Sequence, residues 1–156
     1  MMYKNILCPV DGSDTSDCGM LEAISLAKDQ NATIRFIHVI DNYIPIVDIS
    51  GSPNYADMTE ILRENGKKVL EKAENTAKLS NVLCNAKLSE SIMGQVSKSI
   101  VDEAIEFKAD LIVMGTHGLR GFERIVMGSD AETVARTSPV PVLLVRNKQA
   151  SGKNKI

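Results

Sequence analysis

The chain has 156 residues, 44% hydrophobic, 24% charged and 4% aromatic, the composition of one globular domain. A chain of this length buries roughly 68–70% of the surface its unfolded form exposes, so its core needs neither disulfides nor a structural metal. With 18 Lys and Arg against 20 Asp and Glu, a formal charge of −2 provides no basic field for a nucleic acid. Cys8, Cys18 and Cys84 are odd in number and lack CxxC spacing, which argues against a secreted disulfide framework or a zinc site and fits a reducing cytoplasm. The first apolar run is too short for a signal sequence, and no stretch reaches the roughly 18 apolar residues of a membrane span. A cytoplasmic protein with no membrane partner is expected.

Five apolar runs, at residues 6–10, 33–41, 82–89, 111–115 and 142–146, are separated by segments of helical period. This alternation predicts an α/β domain with a mainly parallel sheet. Residues 6–10 and 111–114 are apolar at successive positions, as central strands covered on both faces require. After the first run Asp11-Gly12 makes a turn, and Asp14 or Ser16 can cap a helix over residues 15–29 whose Met20, Ile24 and Ala27 share a face. Residues 42–54, with Pro45, Gly51 and Pro53, read as an irregular excursion. Asp57 with Glu60 then has capping-box spacing, and Leu62, Val69 and Ala73 stripe a helix reaching Leu79. A third helix over residues 95–107 turns Val96, Ile100, Ala104 and Phe107 to one side and leaves Asp102, Glu103 and Glu106 on a solvated face. The last helix begins at Ser129 or Asp130, with Glu132 completing a capping box, and stops by Ser138 because Pro139 and Pro141 follow.

Residues 1–147 are expected to form one domain and the polar residues 148–156 a disordered tail. Right-handed crossovers predict a strand order of 3-2-1-4-5 in a three-layer α/β/α sandwich with a Rossmann-like, five-stranded parallel sheet. The order in which successive strands are added reverses between the first and fourth strands, a topological switch. Ligands bind beyond the strand ends at such a switch, which directs attention to residues 9–13, 39–41 and 115–129.

Within the last of these segments Gly115, Gly118 and Gly121 recur at every third position. Such spacing lets the backbone pass through positive φ and turn successive N–H groups toward an anion. Gly128-Ser129 then opens a helix whose unpaired N–H groups and positive dipole end form a second anion-binding element. The loop is neither a P-loop, since no Gly-x-x-x-x-Gly-Lys-Ser/Thr occurs, nor a GxGxxG fingerprint, since two residues separate its first glycines.

Gly115-x-x-Gly118, nine residues, then Gly128-Ser129 resembles the ATP-binding signature of universal stress proteins. Three further blocks resemble the same family in order: Ile6-Leu7-Cys8-Pro9-Val10-Asp11-Gly12-Ser13, His38-Val39-Ile40-Asp41, and Ser138-Pro139-Val140-Pro141-Val142-Leu143-Leu144-Val145. The segment from Ala109 to His117 extends the loop match backward through the fourth strand. The resemblance implies an adenine nucleotide alpha hydrolase-like fold that binds ATP, with Mg²⁺ bridging the phosphates. It implies that Pro9, Val10 and Val39 line the adenine pocket, Val39 through its backbone, and that Asp11 accepts a ribose hydroxyl. Met114 and Gly115 would contact the ribose, Gly118 and Gly121 the phosphates, and Gly128 with Ser129 the terminal phosphates, with Thr116, His117, Arg120 and Asp130 as further candidates of the same site. Asp130 stands where many nucleotide-binding members carry an apolar valine, and Cys8 replaces an aliphatic residue. A homodimer through the C-terminal strand is implied as well.

The residues themselves leave other roles open. Asp11 can serve only as a turn-former, and Arg120 and Arg124 can be solvated loop residues. His117 is expected to order the loop by hydrogen bonding, because no carboxylate partner for a general base is evident. His38 reads as a core or pocket-wall histidine, and Cys18 and Cys84 as packing residues. Two functions follow: a nucleotide-dependent regulatory protein with an unknown protein partner, or a slow ATP-hydrolysing or phosphotransfer enzyme. The first is favoured because no residue stands out to position a nucleophile. Flavin chemistry is disfavoured, since three Tyr, three Phe and no Trp leave little to stack on a flavin ring.

Overall fold

Strands and helices alternate through the described residues, 3–42, 55–117 and 127–147, of the computed structural model. They are β1 (Asn5–Pro9), α1 (Asp14–Gln30), β2 (Thr33–Asn42), α2 (Tyr55–Leu79), β3 (Cys84–Ile92), α3 (Val96–Glu106), β4 (Leu111–Gly115), α4 (Ser129–Thr137) and β5 (Val142–Val145). The sheet has the order β3-β2-β1-β4-β5, and every pair is parallel. Both the class and the strand order are those expected from the hydrophobic pattern.

The two central strands feed two cores at once. On one face Ile6, Cys8, Leu111 and Val113 pack with Ile34 and Phe36 of β2 beneath Met20, Ile24 and Ala27 of α1 and Leu70, Ala73 and Ala77 of α2. On the other, Leu7, Ile112 and Met114 join Ile37 beneath Ile100 and Ala104 of α3 and Ala131 and Val134 of α4. Successive side chains of a strand point to opposite faces, so an unbroken apolar run is what this double burial demands. Each fully buried aliphatic or Phe side chain contributes about 1.5–3 kcal/mol.

The helix starts differ from the sequence pattern in instructive ways. Ser13, not Asp14 or Ser16, caps α1: its hydroxyl accepts the Ser16 N–H at 3.2 Å from an extended backbone. The Asp11 carboxylate accepts the Ser13 N–H at 2.9 Å, and that turn makes Ser13 the last residue before the helix. α2 already includes Asp57, which therefore sits in its first turn rather than ahead of it. α4 starts from Gly128 with no side-chain cap, so Ser129 is its first residue rather than its capping residue. β3 begins at Cys84 and continues through Ile92, past its apolar part, because Ser89 to Ile92 stay in register with Val39 to Asn42.

Glu103 corrects the expectation of a solvated α3 face: it is 3% exposed. Its carboxylate pairs with Arg35 at 2.7 Å and with Lys87, and Lys87 also reaches Glu106 at 3.0 Å. Arg35 donates to the Asn85 side chain at 2.6 Å and stacks over the Phe107 ring at 4.3 Å from its centroid. The cations come from β2 and from β3, the strand just before the helix they anchor.

Gly115 ends β4, as the apolar run predicts, but does not take the positive φ expected of the loop glycines; the positive-φ glycines among the described residues are Gly12 and Gly94. A Cβ on Gly115 would sit 2.7 Å from the Thr15 carbonyl oxygen, and one on Gly19 would sit 2.8 Å from the Gly115 nitrogen. The glycines thus bring the start of α1 onto the end of β4, backbone against backbone. Among the described residues no helix is long and apolar enough to cross a membrane.

Candidate functional site

Beyond the C-terminal ends of β1, β2 and β4 lies a cleft of about 460 Å³, within the range of small-molecule sites. The end of β1 contributes Pro9, Val10 and Asp11; β2 contributes Val39 and Asp41; β4 and the residues after it contribute Met114, Gly115, Thr116 and His117. The first turn of α4 contributes Gly128, Ser129 and Asp130. Each expected site residue that is described therefore borders one cavity. Gly118, Arg120, Gly121 and Arg124 lie outside the described residues.

Thr116 joins the parts of this wall. Its N–H donates to the Val145 carbonyl at 3.0 Å, its carbonyl accepts the Gly128 N–H at 2.8 Å, and its hydroxyl pairs with His117 Nδ1 at 2.9 Å. The exit of β4 is thereby tied to the end of β5 and to the start of α4. The other nitrogen of His117, Nε2, is buried and has no hydrogen-bond partner among the described residues.

Asp11 forms the turn that its sequence context allowed. Its carboxylate closes the turn to Ser13, its N–H donates to the Ser16 hydroxyl at 3.0 Å, and the residue borders the cleft. His38 is a wall residue, and its Nδ1 lies 2.8 Å from the Val10 carbonyl. A carbonyl can only accept, so this nitrogen carries a proton. Gly66 of α2 makes room for the ring: a Cβ there would lie 2.7 Å from His38 Cδ2.

The pattern-based reading missed the contribution of α3. Gly94, Val96 and Ile100 border the cleft, brought there by the Asp41 carboxylate, which accepts the Gly94 N–H at 3.0 Å and the Ser91 hydroxyl at 3.4 Å. The signal was the 3-2-1 order itself, which sets the β3–α3 turn on the same rim as the ends of β1 and β2. Leu62 of α2, expected in an inward stripe, is 42% exposed and borders the cleft instead.

Val39, Val96, Ile100 and Met114 give the cleft apolar walls, while Asp11, Asp41 and Asp130 bring three carboxyl groups and His38 and His117 two imidazoles. Among the described lining residues there is no Lys or Arg. Burial pushes the Cys8 thiol far up, and burial followed by the Glu74 charge raises that of Cys84. Neither is a ready nucleophile. Among the described residues no group of three or more His, Cys, Asp or Glu side chains is arranged to hold a metal ion.

Comparison with known proteins agrees with this architecture. Residues 2–146 match the model of the universal stress protein family. A universal stress protein of Methanocaldococcus jannaschii is 38% identical over 145 residues, covering 93% of this chain and 83% of that one. A crystal structure of a family protein from Burkholderia pseudomallei superposes with a TM-score of 0.75 at 31% identity, covering 92% and 96% of the two chains. A universal stress protein crystallised in complex with cAMP superposes with a TM-score of 0.64 at 26% identity, covering 94% and 98%. By its blocks of sequence, its strand order and these relatives, the chain belongs to the universal stress protein family.

Proposed function

We propose that this protein binds an adenine nucleotide, ATP with Mg²⁺, in the cleft at the β1/β4 switch, and that occupancy regulates its interactions with a protein partner. The observation that carries the reading is convergence: residues far apart in sequence, from Pro9 to Asp130, border one cavity at the switch point. A relative of the same fold has been crystallised with cAMP, which supports an adenine nucleotide as the ligand class.

The cleft fits such a ligand at both ends. Apolar side chains of Val39, Val96, Ile100 and Met114 suit a purine base, with the Val39 backbone as hydrogen-bonding partner. The Asp11 carboxylate, held at the rim by Ser13, suits a ribose hydroxyl. The first turn of α4 has no side-chain cap and suits phosphate oxygens, with Ser129 adding a hydroxyl. Mg²⁺ would neutralise phosphate charge in a cleft that already holds three carboxyl groups.

The test is calorimetric titration of the full chain with MgATP, repeated on Gly128→Val. Gly128 has φ −61 and ψ 147, a conformation that β-branched residues adopt readily, so the change introduces no backbone strain. The added branched side chain at the mouth of α4 is expected to weaken binding at least about tenfold, the loss of roughly one charge-assisted hydrogen bond. Unaltered affinity in a folded Gly128→Val protein, or no binding by the wild type, overturns the assignment.

A further inference from the structure

The end of the molecule opposite the cleft collects charge of one sign. All five strands are parallel, so their starts and the ends of the four helices share that end. Each segment there carries a cation: Lys4 before β1, Lys28 at the end of α1, Lys78 at the end of α2, Lys108 between α3 and β4, and Arg136 at the end of α4. All five are exposed, and none joins an ion pair among the described residues, whereas six other Lys and Arg side chains do. Few anions oppose them. The Asp110 carboxylate accepts the backbone N–H groups of Lys4 and Asn5, and Glu106 is paired with Lys87, which leaves Asp29 as the exposed anion. Cations at helix C-termini complement the helix dipoles, which accounts for Lys28, Lys78 and Arg136. It does not account for the two leucines among them. Leu79 is 87% exposed, more than any other large hydrophobic residue described, and Leu83 is 74% exposed. The turn between them is stiff: the Ser80 and Val82 N–H groups both donate to the Ala77 carbonyl, Asn81 takes a left-handed φ of 58°, and Val82 is rooted in the core. The leucines are thus held out in water on a rigid turn.

We propose that this end is a docking surface for an anionic lipid bilayer, on which the cations meet headgroup phosphates while Leu79 and Leu83 enter the interfacial layer. The distribution of the groups favours a bilayer over a bound peptide. The cations stand on both faces of the sheet, since Lys28 and Lys78 end helices packed on one face and Arg136 ends a helix packed on the other. Five strands at ordinary spacing also set the outermost segments roughly 19 Å apart. A broad surface meets all of these charges at once, and a single extended peptide does not. Protruding apolar side chains, with no groove beside them to fill, suit insertion. A nucleic acid would use the cations and leave the leucines without a partner. Stable attachment to a bilayer takes two signals, and apolar tips ringed by cations supply both. Long lysine stems let the ammonium groups stay with the headgroups while the leucines go deeper. Each cation brought to an anionic surface strengthens binding about fivefold. Peripheral contact needs no spanning helix, so the expectation of no membrane partner, drawn from the lack of such a segment, does not bear on it. The cleft opens at the other end, and this inference does not depend on the nucleotide reading.

The test is sedimentation of the full chain with vesicles of phosphatidylcholine alone, or of phosphatidylcholine and phosphatidylglycerol in equal parts, at low salt. Binding is expected to the mixed vesicles only, with release as sodium chloride screens the exposed charges. Lys78→Gln combined with Lys108→Gln should weaken binding about 25-fold, two cations at about fivefold each. Leu79→Ser combined with Leu83→Ser should weaken it at least about tenfold, as loss of buried apolar area does. Lys68→Gln combined with Lys98→Gln changes the net charge equally on other surfaces and is expected to bind as the wild type does. Unfolding midpoints near the wild-type value establish that these variants are folded. The chain has no tryptophan, so Leu83→Trp introduces a single reporter whose emission should shift to the blue on mixed vesicles and stay in place with phosphatidylcholine. No binding to mixed vesicles, an equal loss in the Lys68 and Lys98 control, undiminished binding by the leucine pair, or a Leu83→Trp emission indifferent to mixed vesicles overturns the proposal. So does a DNA duplex that binds as tightly as the mixed vesicles and is insensitive to the leucine substitutions, which would assign the cations to nucleic acid instead.

Discussion

Glu103 shows how one residue can be misread from its spacing. Its place on α3 suggested a solvated face with Asp102 and Glu106, yet it is buried between Arg35 and Lys87. The partners were invisible in the pattern because they stand on β2 and β3, where Arg35 and Lys87 are the one Arg and the one Lys of their strands and nothing in the sequence ties them to α3. Taking a carboxylate out of water is costly, and here two cations and the ring of Phe107 beside Arg35 offset that cost. Glu103→Ala removes the shared anion and leaves Arg35 with only Asn85 and Phe107, and Lys87 with only the exposed Glu106. The expected loss is about 3 kcal/mol of unfolding free energy, the lower end for a broken buried pair because Arg35 and Lys87 retain partial access to water. Urea unfolding of the variant checks it, and a loss below about 1 kcal/mol would show that the network contributes no more than a surface pair.

At the scale of elements, the packing of α2 onto β2 turns on a residue with poor helix propensity. Gly66 lies well inside α2, where Ala would ordinarily stabilise by about 1 kcal/mol. Its missing Cβ is what leaves room for the His38 ring, 2.7 Å from the place a Cβ would occupy, and for the Leu88 side chain at the same distance. The ring cannot easily retreat because Nδ1 is bound to the Val10 carbonyl. Gly66→Ala should therefore destabilise by about 1–2 kcal/mol through overpacking, and the same substitution in a His38→Ala background should become neutral or stabilising. Thermal unfolding of the four proteins of this cycle measures the coupling; an equal effect in both backgrounds rules out the steric account. Periodicity made the elements legible because burial on one face or two leaves different apolar patterns, and β4 was read to its exact ends. Helix starts were read less well, since a cap depends on hydrogen bonds such as Asp11 to Ser13 that composition does not display. The cleft followed from strand order. The part played by α3 did not, because Val96 and Ile100 look like ordinary core residues until Asp41 is seen to draw the β3–α3 turn to the rim.

For the whole molecule, the sheet order leaves β5 at one edge. Within the sheet β5 pairs with β4 alone, through Ile112 to Val142 and onward to Gly115 with Val145, and Leu143 is 38% exposed. Edge strands in native proteins are usually guarded by charge, by proline within the strand or by a covering element. Here the strand itself reads Val142-Leu143-Leu144-Val145, with Pro141 before it and Arg146 after it. Two copies related by a two-fold axis would pair the same edge on both sides and cover Leu143 with its own symmetry mate. The end of β5 also accepts the Thr116 N–H, so this edge is one hydrogen bond from the wall of the cleft. Pairing at β5 would therefore restrain His117 and the start of α4 in both copies at once. Light scattering of the purified chain at micromolar concentration is expected to give twice the chain mass, and Leu143→Lys to give a folded monomer, because Leu143 lies outside both cores. If dimerisation steadies the site, that monomer should bind MgATP more weakly than the dimer while keeping its unfolding midpoint near the wild-type value. A wild-type monomer would remove the edge-pairing proposal outright, and undiminished nucleotide affinity in the Leu143→Lys monomer would confine β5 to assembly alone.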